Sequence, residues 1–287
     1  MQYPPTELVL NDKGQVYHLG LSPEDIHTKI ILVGDQDRVN MVSSFFDEIT
    51  HKSQHREFVC HSGSYRGKNI SVISTGIGTD NIDIVINELD ALVNIDLVNR
   101  CDLNEKTHLE IVRIGTCGIL QAEIPVHSYI LSEYAAGLDN IAHFYKMNFS
   151  DQEQSIMKDL STRLKLPEAI NPYVVRSSET LTQRLKEATV FSGITITSSG
   201  FYGPQGRQLR LDTKTTELND SIEVFRTGDL KIVNFEMESS ALFALGRALG
   251  HAATTICLGI ANRPNKDFSK GYHDEMNGLI SYVLDRI

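Results

Sequence analysis

The segment Phe201-Tyr-Gly-Pro-Gln205-Gly-Arg207 sets a side-chain amide and a guanidinium two residues apart, beside an aromatic pair. Together they offer hydrogen-bond donors on both flanks of an acceptor, over a flat apolar surface. A uracil ring presents the matching edge. Further along, Asn234-Phe-Glu236-Met237-Glu238-Ser carries two carboxylates. Such groups accept from vicinal hydroxyls, and a ribose has a pair of them. Taken alone, the same run reads better as an acidic first turn favoured by the helix dipole. Neighbouring side chains diverge on a strand or a helix, so one of the two glutamates is expected to face a sugar.

A second constellation suits an anion. Val33-Gly34-Asp-Gln-Asp-Arg38 and Val112-Arg113-Ile-Gly115-Thr116-Cys-Gly118 combine glycine turns with arginines. A glycine turn lets backbone N–H groups approach an oxyanion, and guanidinium forks bind it bidentately. Gly34, Arg38, Arg113 and Thr116 therefore make an anion cradle. Arg38 and Arg56 in isolation read as solvated surface charges. Arg113 does not, because it lies between Val112 and Ile114 in an apolar strand. There an uncompensated guanidinium is costly, so it should face an anion or a pocket.

These residues need elements to place them. Lys29 to Val33 is a β-branched run ending in Gly34-Asp35, and apolar positions Val39, Val42, Phe45 and Phe46 predict a helix over Arg38 to Glu48. Arg66-Gly67-Lys68 reads as a hairpin turn between Phe58–Ser62 and Asn69–Ile73. Ile70 to Thr75, the Gly76-Ile77-Gly78 turn and Ile82 to Val93 repeat the strand-turn-helix pattern. Further strands are predicted at Leu109 to Gly115, Ser128 to Ser132, Thr189 to Thr197 and Thr254 to Ile260. Helices are predicted at Asp151 to Leu164, Glu238 to Leu249 and Asp274 to Ile287. Strands alternating with helices indicate an α/β protein with helices on both faces of a mixed sheet. The motifs fall where strands give way to turns or helices, where such sheets place ligands.

The 287 residues contain no linker-like stretch, low-complexity segment or internal repeat, so a single domain over residues 1–287 is expected. Apolar residues make up 41%, enough for a sizeable core. No segment approaches the roughly 20 apolar residues that span a bilayer, and the N-terminus lacks a basic region followed by an apolar run. A cytoplasmic protein with no membrane partner is expected. Cys60, Cys101, Cys117 and Cys257 are widely spaced, which suits buried reduced thiols better than zinc or disulfides. The net charge of −10 argues against a nucleic-acid partner and leaves any phosphate to local arginines.

In this order along the chain, the motifs resemble those of the nucleoside phosphorylases, in their uridine phosphorylase branch. The likeness starts at Tyr17-His18-Leu-Gly-Leu, continues through His55-Arg56-Glu57-Phe58 and Ser74-Thr75-Gly76-Ile77-Gly78, and ends at Gly259-Ile-Ala-Asn262-Arg263. It implies a nucleoside-phosphorylase-like fold, a central mixed sheet or distorted barrel flanked by helices. It further implies phosphorolysis of uridine to uracil and ribose 1-phosphate, with inorganic phosphate as co-substrate and no required cofactor.

By the same resemblance, Gly34, Arg38, Arg113 and Thr116 bind phosphate, with Arg56 contributed by a neighbouring subunit. Ribose falls to Glu236, Met237, Glu238 and Thr116, with His18 reaching the 5′-hydroxyl across a dimer interface. Phe201, Gln205, Arg207 and Arg263 take the base. Gln205 reads N3–H and O2, and Arg207 donates to O4. Arg38, Arg113, Gln205, Arg207 and Glu238 then carry catalysis. Alone, His18 reads as a packed residue and Phe201 as core. A potassium ion near Glu57, Ile77 and Asn81 is a further implication, with Asn81 standing where the family has serine. Homodimers sharing active sites are expected, with hexamers of dimers open.

Two departures bear on this reading. Gln36 replaces the family's proline in the phosphate turn, which is expected to loosen that loop without removing a ligand. Asn262-Arg263 stands where purine-specific relatives keep an aspartate acid. The competing readings are a purine nucleoside phosphorylase, a nucleosidase using water, and an inactive nucleoside-binding or storage protein.

Overall fold

A computed structural model describes residues 2–287. In chain order the elements are β1 (Lys29–Val33), α1 (Gln36–Ser43), β2 (Glu48–His55), β3 (Phe58–Tyr65), β4 (Lys68–Ser74), α2 (Thr79–Asn94), β5 (Ile95–Asp96) and β6 (Cys101–Asp102). There follow β7 (Glu110–Ile119), β8 (Tyr129–Gly137), α3 (Asp151–Arg163), β9 (Tyr173–Arg176), α4 (Glu179–Leu185), β10 (Phe191–Thr197) and α5 (Leu218–Glu223). The chain ends with β11 (Arg226–Thr227), β12 (Leu230–Glu236), α6 (Ser239–Ala248), β13 (Ala252–Asn262), β14 (Asp267–Phe268) and α7 (His273–Arg286).

The main sheet is mixed and partly closed. β12, β10, β8, β13 and β7 pair in that order, and β7 returns to β12, so five strands form a barrel. From β7 the sheet continues outward through β1, β4, β3 and β2. β7 serves both parts by splitting its length. Its residues 110–114 pair in parallel with β1, while Gly118 and Ile119 pair antiparallel with β12. The sheet therefore opens just beyond Val33 and Ile114, the last residues at which β1 and β7 remain paired.

Both faces of the outer sheet are covered. In β1, Ile30 and Leu32 pack with residues of α2 and α6, whereas Ile31 and Val33 pack with Val39 and Val42 of α1 and with α7. All four β1 side chains are fully buried, each contributing about 1.5–3 kcal/mol relative to exposure. Helix α6 is buried from Ser239 to Gly246, which its small and apolar residues permit.

Several features differ from the sequence expectations, which also hold no element at β9, α4 or α5. α1 ends at Ser43, short of Phe45, Phe46 and Glu48, because the chain turns there into β2. β2 itself was not predicted: it is a polar edge strand with little buried surface. β12 was also missed, a strand buried from Ile232 onward. The Arg66-Gly67 hairpin turn is present, with both residues at positive φ. Cys60, Cys117 and Cys257 are buried free thiols, while Cys101 is half-buried. No helix of the described residues is long and apolar enough to cross a membrane.

Candidate active site

The split in β7 opens a cavity of about 760 Å³, within the range of small-molecule sites. β1 brings Gly34 to its floor, and the first turn of α1 brings Arg38. Asp35 Oδ1 accepts from Asp37 N at 2.9 Å and caps α1. Arg38 is 9% exposed, with Nη1 3.5 Å from the Ile114 carbonyl oxygen. Burial lowers its pKa from the ordinary value, and Arg113 pushes the same way. A guanidinium so placed is stabilised by an arriving anion.

Arg113 projects from the middle of β7. Its Nη2 donates to Glu238 Oε2, and its Nη1 lies 3.4 Å from Glu236 Oε2. Burial alone would lower its pKa, but Glu238 and then Glu236 outweigh this and raise it. Arg113 Nε is buried without a hydrogen-bond partner. The side chain runs forward along its own strand, so a Cβ on Gly115 would sit 2.2 Å from Arg113 Nη1. Only glycine leaves that room. Thr116, the next side chain along β7, also lines the cavity.

Between the arginines and the far wall stands the 236–238 segment. Glu238 Oε1 accepts from Gly78 N at 2.8 Å. Glu236 accepts from Glu238 N at 3.0 Å, from Ser239 N at 2.9 Å and from Thr197 Oγ1 at 2.5 Å. Burial pushes the Glu236 carboxyl up, against the pull of Arg113 and with the push of Glu238. Glu236, Met237 and Glu238 all line the cavity.

The opposite end carries Phe201, Gln205 and Arg207. A one-turn helix over Gly203–Gln205, closed by Gly206 at φ 65°, directs the 2% exposed Gln205 inward. Arg207 Nη1 donates to Gln205 Oε1 and, at 2.7 Å, to the Phe201 carbonyl oxygen. Its guanidinium lies 3.8 Å over the Phe201 ring. Burial lowers the Arg207 pKa. Arg263 stands behind this group, donating to the Gln205 carbonyl oxygen and lying 5.5 Å over Phe235. Burial, then Arg207, lower its pKa to about 10.

His18, Arg56 and Arg263 are not among the residues lining the cavity. Arg263 is one layer away. His18 and Arg56 share a separate surface: Arg56 lies 5.1 Å over Tyr17, and His55 Nδ1 meets the His18 carbonyl oxygen at 2.8 Å. The His18 ring is fixed by Glu88 Oε1, 2.6 Å from Nδ1. Arg56 occupies the β2–β3 turn at φ 55°. Gln36, expected to loosen the phosphate turn, instead donates from Nε2 to the Arg56 carbonyl oxygen at 3.2 Å and ties the two turns together. It does so from the first position of α1, which also suits proline.

Glu57, Ile77 and Asn81 converge at one end of the cavity around Gly76. A Cβ on Gly76 would lie 2.3 Å from Asn81 Nδ2 and 3.5 Å from Glu57 Cγ. Asn262 is committed elsewhere: its Nδ2 donates to the carbonyls of Gln121 and Ile124, and its Oδ1 accepts from Asn265 N. Sequence reasoning missed Thr197, Gly78 and Glu88. Each bonds an expected site residue far away in the chain, a contact that no local pattern marks.

One cavity thus joins a guanidinium pair, a carboxylate and an amide–guanidinium pair. This arrangement can hold an anion, a polyhydroxyl group and a polar ring in sequence. The chain matches the Phosphorylase superfamily over residues 28–278. It is similar to the uridine phosphorylase of Thermococcus kodakarensis, at 30% identity over 92% of this chain and 83% of that one. The Escherichia coli uridine phosphorylase shares 28% identity over 89% of each chain. Among solved structures, a Trypanosoma brucei nucleoside phosphorylase described as showing uridine phosphorylase activity superposes with a TM-score of 0.89, at 27% identity, over 98% of this chain and 99% of that one. The protein belongs to the phosphorylase superfamily.

Proposed function

We propose that this enzyme catalyses the reversible phosphorolysis of uridine to uracil and ribose 1-phosphate, in pyrimidine salvage. The observation that carries the reading is the presence of Arg38, Arg113, Glu238, Gln205 and Arg207 around one cavity. Its similarity to uridine phosphorylases over most of their length supports it.

In this reading Gly34, Arg38, Arg113 and Thr116 hold phosphate beneath C1′ of the nucleoside. Glu238 accepts from the 2′- and 3′-hydroxyls, beside Met237. Gln205 and Arg207 meet the uracil edge, with Phe201 against the ring and Arg263 supporting the loop through Gln205. As the glycosidic bond breaks, C1′ gains positive charge and the base gains negative charge. The phosphate oxygen stabilises the first and forms the new C–O bond, while donors from Gln205 and Arg207 stabilise the second. No protein nucleophile is required. Cytosine would mispair both readers, because its N3 and its 4-substituent reverse the donor pattern. Asn262 keeps its amide in backbone hydrogen bonds, which supports a pyrimidine rather than a purine substrate.

A second copy of the chain completes the site by lending His18 and Arg56. Their common position outside their own cavity supports this assembly as a homodimer with shared sites. Glu57, Ile77 and Asn81 offer oxygen donors of the kind a potassium ion takes. They supply only part of a shell for a hard cation, so a partner copy must complete it. We assign the enzyme to the cytoplasm, a reading that its four free thiols support. Base release from uridine, followed by ultraviolet absorbance with and without inorganic phosphate, tests the reading. Release only with phosphate is expected. Equal release in phosphate-free buffer would make the enzyme a nucleosidase.

A further inference from the structure

A residue at a helix N-cap normally turns its side chain back to accept from the first free backbone N–H groups. Glu238 is the N-cap of α6 and makes no such bond. Glu236 does that work, accepting from Glu238 N and Ser239 N. The Glu238 carboxylate is therefore free to turn into the cavity, toward Arg113 and Gly78 N.

Glu236 is held in turn by Thr197, the last residue of β10. Thr197 is fully buried and does not line the cavity. Its Oγ1 donates to Glu236 Oε1 at 2.5 Å and accepts from Ser240 N at 3.0 Å. One hydroxyl so joins the capping carboxylate to the first turn of the helix it caps. Behind it, Ser240 Oγ donates to the buried Asp139 Oδ2 at 2.6 Å, and Asp139 also receives the Tyr173 hydroxyl.

We propose that Thr197 is a positioning residue for the sugar subsite: it fixes Glu236 as the cap of α6, and this aims Glu238 at the ribose hydroxyls. Glu236 then holds the segment and does not itself bind sugar. The inference rests on the phosphorolysis reading, in which Glu238 is the ribose acceptor. It predicts a selective defect, because the Thr197 hydroxyl bonds only Glu236 and Ser240 and touches no polar group of the 201–207 base loop.

The test compares Thr197→Val, which keeps the shape and removes the hydroxyl, with Thr197→Ser, which keeps the hydroxyl. KM for uridine and the inhibition constant of uracil are measured at saturating phosphate. Thr197→Val is expected to raise KM for uridine about tenfold or more, by leaving two buried groups short of a partner. Uracil inhibition should stay within about threefold, and Thr197→Ser should keep both constants near wild type. Equal weakening of uridine and uracil would make Thr197 merely structural and overturn the proposal, as would wild-type constants in Thr197→Val. If the valine variant does not fold, Thr197→Ala is read by the same ratio. Wild-type protein that fails to turn over uridine contradicts the functional reading instead.

Discussion

Arg113 and Glu238, 125 residues apart in the chain, meet as an ion pair whose side chains are 5% and 4% exposed. Glu236 shares the same guanidinium. A single arginine thus compensates two buried carboxylates at the centre of the site. It stands beside Arg38, where the reading above places phosphate.

Removing that arginine should cost stability as well as activity. Arg113→Ala leaves Glu236 and Glu238 uncompensated in a buried setting, and breaking such a group costs about 3–5 kcal/mol. Urea unfolding is expected to show a lowered midpoint. An unchanged midpoint would mean that the carboxylates are not held as charges.

The base subsite should behave differently. Gln205→Ala and Arg207→Ala are each expected to lower kcat/KM for uridine at least tenfold, from about 1.4 kcal/mol of lost transition-state binding. Steady-state assays of both variants decide the matter, and wild-type rates in both would remove the base assignment.

The proposed sharing of active sites makes a prediction about mixtures. Arg56→Ala and Arg113→Ala should each be nearly inactive alone. In a dimer of one copy of each, both lesions fall in one site and the other is intact. An equimolar mixture after subunit exchange should regain roughly a quarter of wild-type activity. No recovery, with exchange demonstrated, would place Arg56 in its own subunit's site or in none.

Glu153 gives the pH dependence of stability a specific source. It is fully buried, accepts from Ser150 N and Arg176 N at 2.7 Å each, and pairs with Arg247 Nη1 at 2.6 Å. Burial pushes its pKa up, but these donors outweigh it and the net shift is downward. With the folded value below the unfolded one, its stabilisation is complete above the unfolded value and is lost as pH falls through the folded one. Glu153→Gln should lower stability at neutral pH by about 1–3 kcal/mol. Denaturation series at several pH values should show a shallower acid limb in that variant.

What the sequence disclosed followed the range of the interaction involved. Gln205 and Arg207 were legible because two residues on one tight turn can be weighed as a unit. Arg113 was legible because a guanidinium in an apolar strand demands a partner, although the strand did not say which. Glu238 as that partner, and Thr197 behind Glu236, depend on barrel closure between β7 and β12 and on the packing of α6. No local pattern encodes those contacts. β2 escaped notice because its mostly polar side chains remain largely exposed. The end of α1 was misplaced because Phe45 and Phe46 continue a helical spacing after the backbone has turned away. Gln36 was read from what its backbone loses without proline, while its side chain supplies a hydrogen bond to the neighbouring turn.

The most direct test of the central claim follows phosphorus. Enzyme, uridine and inorganic phosphate are mixed and monitored by ³¹P NMR while uracil is quantified in the same sample. The account predicts that inorganic phosphate falls and a single sugar 1-phosphate rises, mole for mole with uracil. Uracil formed with free ribose and an undiminished phosphate signal would contradict it.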